Sequence, residues 1–203
     1  MNIPHVLMEK TKLILVWGLV FAFVFVIITL FLPKQYSADT QLLIISKNKT
    51  GVDPYTQAKS AERVGENLSQ IIGTTDFYAK VIDSSYNFDK TVWKNMNERN
   101  RRKEWNKNIQ SSVLYGTGLM NITAYASSKA EAVNLANALG STIASNGWEY
   151  VGGDVTIKVV TKPLEPRFPS RPNFVVNLLV GFLIGVFLSS GWVLRYKKHH
   201  LLG

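Results

Sequence analysis

The chain has 203 residues, of which 46% are apolar and 18% charged, against about 25% charged in an average soluble domain, so part of the apolar content serves something other than a water-soluble core. Lys and Arg number 23 against 14 Asp and Glu, a formal net charge of +9, which points to an anionic partner such as nucleic acid, phospholipid or an acidic glycan. There is no Cys, and the His residues are His5, His199 and His200, so disulfides, thiolate chemistry, His metal pairs and imidazole base catalysis are excluded for residues 6–198.

From Leu13 to Leu32 the sequence LILVWGLVFAFVFVIITLFL carries no charge. Twenty residues at 1.5 Å rise match a hydrocarbon core of about 30 Å, which predicts a transmembrane helix. A secretory signal peptide would have a shorter apolar region followed by a small-x-small cleavage site, and FLPKQYSAD offers none.

Tyr36 to Ser46 is rich in strand formers and ends at the turn-like KNKTG, which predicts a strand leaving the membrane. Asp53 before Pro54 is an N-cap with proline at the first helical position, and the helix is expected to run to about Ile72 before Gly73. Its stripe of Ala58, Ala61, Val64, Leu68 and Ile71 should be buried, with Lys59, Glu62, Arg63 and Glu66 in solvent. Thr75 to Asp83 reads as a short second helix and Trp93 to Gln110 as a polar third one. In that third stretch Arg99, Arg101, Arg102, Lys103 and Lys107 interleave with Trp93 and Trp105, a composition suited to stacking on sugars or holding phosphates. The competing expectation is a solvated helix whose tryptophans pack inward.

Ser111–Leu114 and Leu119–Ala126, joined by YGTG, read as a hairpin. Its lone GxG lacks the Lys-Ser/Thr of a phosphate loop. Ser127 or Ser128 can cap a long helix, and Glu131 completes a capping box with Ser128. Ala132, Leu135, Ala136, Leu139 and Ile143 share its buried face. GGD at 152–154 is a turn, and Val155 to Thr161 closes the domain as a strand. The resulting β-α-α-α-β-β-α-β order predicts an α+β fold, an antiparallel sheet with helices packed on one face. Asn-x-Ser/Thr matches at Asn48, Asn67 and Asn121 read as chance.

Pro163, Pro166, Pro169 and Pro172 recur every third residue. Polyproline II has three residues per turn, so the rings line one face, and nine intervals at about 3.1 Å make a strut of about 28 Å. An SH3-type ligand is the rival reading, but those meet cytoplasmic domains. Phe174 to Leu194 is a second uncharged span, with Asn177 one turn in and Gly181 and Gly185 forming a GxxxG that lets another helix approach closely. Lys10 and Lys12 precede the first span and Arg195, Lys197 and Lys198 follow the second, so both tails, 1–12 and 195–203, are expected in the cytoplasm. The loop 33–173 then lies outside the membrane, with 18 basic residues against 13 acids.

This layout resembles the polysaccharide co-polymerase family, the Wzz-type chain-length determinants and their relatives in capsule and exopolysaccharide export. The resemblance rests on the order and spacing of FLPKQYSADTQLLI after the first span, NITAYASSKAEAVNLANAL, and PLEPRFPSRPN leading into a glycine-bearing second span. It implies a bacterial plasma-membrane homo-oligomer that sets the length of a lipid-linked glycan at a membrane polymerase, for lipopolysaccharide O-antigen, capsule or exopolysaccharide. It implies no catalytic residues, no cofactor or metal and no nucleic acid. Pro163, Pro166, Pro169, Pro172, Gly181 and Gly185 are carried over as structural determinants. The loop is too short for the long helical hairpin of the larger members and closer in size to small capsule adaptors, which activate a tyrosine autokinase through a cytoplasmic tail. Here the sequence after Leu194 is RYKKHHLLG and no Walker motif occurs. A kinase adaptor and a two-span receptor binding an anionic ligand through residues 99–107 are the alternatives.

Overall fold

In the computed structural model, residues 8, 10–46, 53–152 and 155–200 are described. The KNKTG turn and the last two residues of the GGD turn lie outside them. The chain forms two compact units, residues 1–34 with 170–203, and residues 35–169.

The first unit is a helical hairpin of α1 (Thr11–Phe31) and α7 (Phe174–His200). Both are long and apolar enough to cross a membrane, over Thr11–Phe31 and Phe174–Arg195. Side chains such as Phe23, Phe31 and Phe187 stay exposed, as expected of helices whose outer faces meet lipid. Ile14 packs with Val193 near one end, and Asn177 Nδ2 donates to Thr29 Oγ1 at 2.9 Å near the other. The helices are therefore antiparallel. Thr29 in turn donates to the Phe25 carbonyl at 2.7 Å, so the Thr29 hydroxyl both accepts and donates within the hairpin.

The second unit is a four-stranded antiparallel sheet in the order β2 (Ile109–Val113), β3 (Leu119–Ala126), β1 (Tyr36–Ser46), β4 (Val155–Thr161). Alternation decides its faces. Ala38, Thr40, Leu42 and Ile44 of β1 and Met120, Ile122 and Ala124 of β3 are buried, whereas Asp39, Gln110, Ser112 and Lys158 are exposed on the other face. The buried face carries α2 (Pro54–Ile71) and α6 (Lys129–Val151), so the α+β architecture expected from the sequence is the one observed. All five apolar positions expected on the inner face of α6 are buried. Gly140 lies against Thr40, where an added Cβ would come within 3.0 Å of the threonine hydroxyl. That close approach seats α6 on β1.

Caps set the helix boundaries. Asp53 accepts from the Thr56 amide at 3.0 Å ahead of Pro54, and Ser128 and Glu131 form the expected capping box, a cap typically worth about 1 kcal/mol. Thr74 caps α3 (Thr75–Ile82).

Three expectations are corrected. The third helix is two, α4 (Lys90–Lys94) and α5 (Glu98–Asn108), because Asn97 accepts from the Asn100 amide at 2.9 Å and starts a new helix. Strand β2 begins at Ile109, two residues earlier than expected. Glu62, expected in solvent, is 4% exposed, since its carboxylate pairs with Lys59 at 2.9 Å and accepts the Gly116 amide at 3.1 Å. It ties α2 to the β2–β3 turn.

Candidate functional site

The basic, tryptophan-bearing stretch is organised by the break at 95–97. In a continuous helix, residues 93 and 105 would lie about 18 Å apart along the axis. With α4 and α5 separate, the Trp93 and Trp105 rings meet edge to face at 5.3 Å. Tyr78 of α3 meets Trp105 on another side, edge to face at 5.0 Å. Trp105 is 2% exposed and Trp93 8%, and the Trp105 indole donates to the Ile72 carbonyl at 2.8 Å. Both tryptophans pack inward against aromatic neighbours, the arrangement of the competing expectation.

The cations divide into two groups. Arg101 and Arg102 both pair with Glu98, Arg102 Nε at 2.8 Å from Oε1. Thr75 Oγ1 donates to the same Oε1 at 2.7 Å and accepts from Arg102 Nη2 at 2.9 Å. Arg101 also lies over the Tyr78 ring, 4.9 Å from its centroid. Burial pushes the Tyr78 phenol above its ordinary pKa, and the Arg101 charge opposes that shift. Lys107 pairs with Glu104 at 3.6 Å. Arg99 and Lys103 are exposed and have no ion-pair partner among the described residues. The sequence reading singled out the cations but missed Glu98, Thr75 and Tyr78. Glu98 was legible as the i, i+3 and i+4 partner of two arginines, whereas Thr75 and Tyr78 arrive through tertiary packing.

A shallow cleft of about 130 Å³ lies beside this region, lined among others by Gln35, Trp93, Glu104, Asn108, Tyr125 and Glu131. Gln35 donates to Asn108 Oδ1 at 3.0 Å, and Asn108 donates to the Glu104 carbonyl at 3.0 Å. Across the domain, Lys80 of α3 bridges Asp76 and Glu149 of α6, and the Tyr150 hydroxyl donates to Asp76. The Glu149 hydrogen bond raises the Lys80 pKa above its ordinary value.

In the proline segment Pro163 is buried and Pro166 and Pro169 are half-buried, while Leu164 and Phe168 are 81% and 78% exposed. This is the one-sided pattern a three-residue repeat produces, although a bend at 167–168 interrupts the expected straight strut. Pro172, at the foot of α7, is half-buried. Gly181 and Gly185 face α1 of the same chain. An added Cβ would come within 2.7 Å of Phe25 Cβ at Gly181 and within 2.8 Å of Phe21 Cβ at Gly185. The GxxxG is thus used within the hairpin.

The span, the strand leaving it and the helices that follow are the parts on which comparison with known proteins bears. Residues 1–94 match the family model of Wzz, chain length determinant protein. The match takes in α1, β1, α2, α3 and α4. Over 194 residues the chain is also 25% identical to the capsular polysaccharide biosynthesis protein CpsC of Streptococcus agalactiae, covering 93% of this chain and 78% of that protein. The same protein from a serotype Ia strain of that species matches over the same extent. The resemblance to chain-length determinants and capsule proteins stands on these matches, and the second of them reaches beyond the part that the family model covers.

Proposed function

We propose that this protein is a non-enzymatic, two-pass plasma-membrane regulator of the chain length or export of a cell-surface polysaccharide. The observation that carries the reading is the Wzz match over residues 1–94, on a chain whose apolar helices bracket an α+β domain. The similarity to CpsC favours a capsular polysaccharide. Copies of the chain assemble around a membrane polymerase and its lipid-linked glycan, with both tails cytoplasmic, a reading that the flanking cations support. Because the GxxxG is occupied within the hairpin, subunit contacts fall to other surfaces.

The test is the length distribution of the surface polysaccharide on gels. Pro166→Ala with Pro169→Ala, and separately Gly181→Leu with Gly185→Leu, shift that distribution while the protein still inserts. An unchanged distribution in both overturns the reading. A second reading, drawn from the size of the loop and its resemblance to small capsule adaptors, is that of an adaptor for a tyrosine autokinase. That role requires a kinase that co-purifies with the full chain and is lost on deleting residues 195–203.

A further inference from the structure

Glu98 occupies a cage made by two helices. Its Oε1 accepts from Thr75 Oγ1 at 2.7 Å and Arg102 Nε at 2.8 Å, and its Oε2 pairs with Arg101. A carboxylate is thus held through both oxygens by two guanidinium groups and a hydroxyl, the arrangement that recognises carboxylates in general. The Glu98 side chain is 44% exposed and that of Arg102 61%. Ion pairs this open to water are weak and exchange readily with an external anion.

Tyr78 provides a second, independent observation. It is 8% exposed, and its buried O–H has no acceptor among the described residues, its polar neighbour being the Arg101 guanidinium, which can only donate. It lines the same small pocket as Gly73, Thr75, Arg101, Arg102 and Trp105, with about 10 Å³ of space left beside Glu98. That is about the room one oxygen atom or water needs. Glu98 therefore satisfies the two arginines and gives the phenol O–H no acceptor, whereas a carboxylate with a neighbouring oxygen would supply one. Arg99 and Lys103 on the same helix, exposed and without an ion-pair partner among the described residues, add positive charge, which concentrates a polyanion nearby.

We infer that the Thr75, Arg101 and Arg102 cage binds the carboxylate of an acidic sugar residue, with Glu98 as the internal carboxylate that such a residue displaces. The carboxylate is read from the cage; its bearer being a sugar rests on the polysaccharide function proposed above.

The test uses the full chain in phosphatidylcholine nanodiscs, labelled with 15N-arginine and titrated with glucuronate, glucose or inorganic phosphate at constant ionic strength. In Glu98→Gln, glucuronate shifts the Arg102 Nε–H signal saturably and binds roughly three- to tenfold tighter than to the parent chain. Glucose leaves the signal in place, and phosphate binds more weakly than glucuronate. Arg102→Gln and Thr75→Val each weaken glucuronate binding, read from the Arg101 signal, with melting checked for every variant so that unfolding is not mistaken for loss of the site. No saturable shift in Glu98→Gln, equal affinity with and without Glu98, or tighter binding of phosphate overturns the proposal. A failed titration alongside altered polysaccharide length in the proline variants removes this site and leaves the proposed function standing; the reverse result does the opposite.

Discussion

Replacing Trp105 separates a packing role for the basic helix's tryptophan from a sugar-stacking one. Trp105→Phe removes the indole N–H that donates to the Ile72 carbonyl at 2.8 Å. It also shortens a ring packed between Tyr78 and Trp93. An unpaired buried carbonyl costs about 1–3 kcal/mol, and the space left by the smaller ring adds about 1 kcal/mol. The expected loss is therefore about 2–4 kcal/mol, and Trp105→Ala should cost about 3–5 kcal/mol. For a domain of this size each kcal/mol moves the melting temperature by about 3 °C, so the Phe variant should melt roughly 6–12 °C lower. Circular dichroism of the full chain in nanodiscs, followed on heating, provides the readout. A melting temperature unchanged by Trp105→Phe, with glycan binding lost, would refute the reasoning, because that is the signature of an exposed stacking residue.

Three further outcomes follow from the packing. Gly185→Leu forces side chain into space held by Phe21 and the Trp17 carbonyl, so disulfide formation between cysteines introduced at Ile14 and Val193 should drop sharply. Gly191→Leu, where an added Cβ meets nothing within 4 Å, should leave it unchanged. Glu62→Ala releases the Gly116 amide, and hydrogen exchange at Gly116 should quicken while the β1–β3 amides stay protected; equal protection of Gly116 would show that Glu62 does not hold the turn. Stability should be flat between pH 6 and 8 and fall only at the extremes. The Lys59 hydrogen bond lowers the Glu62 pKa, the Thr56 hydroxyl that of Asp53, the Thr91 hydroxyl that of Asp89, and Asn146 with Lys80 that of Glu149. Their contributions are complete above the ordinary carboxylate range, near pH 4, and are lost as pH falls through the lowered values. Lys80 has a raised pKa, so its contribution is complete below about pH 10 and is lost as pH rises through the folded value. A melting temperature that changes markedly between pH 6 and 8 would contradict this assignment.

Much of the architecture is local and was legible in the chain itself. Uncharged runs of membrane length need no partner to declare themselves, and strand β1 and strand β4 fall on the residues that alternation and flanking turns mark. Asp53 with Pro54, and Ser128 with Glu131, place two helix starts because a cap involves neighbours within four residues. Tertiary structure decided what depends on distant partners. Glu62 reads as solvent-facing by helical spacing, yet the β2–β3 turn folds over it and buries it. For Trp93 and Trp105 composition left sugar stacking and inward packing both open, and the helix break and the arrival of Tyr78 turn both inward. The GxxxG announced a close helix contact, and only the folded hairpin shows that the partner is α1 of the same chain. Periodicity reports which face is apolar, whereas burial of a charge or the partner of a glycine stripe is set by residues tens of positions away.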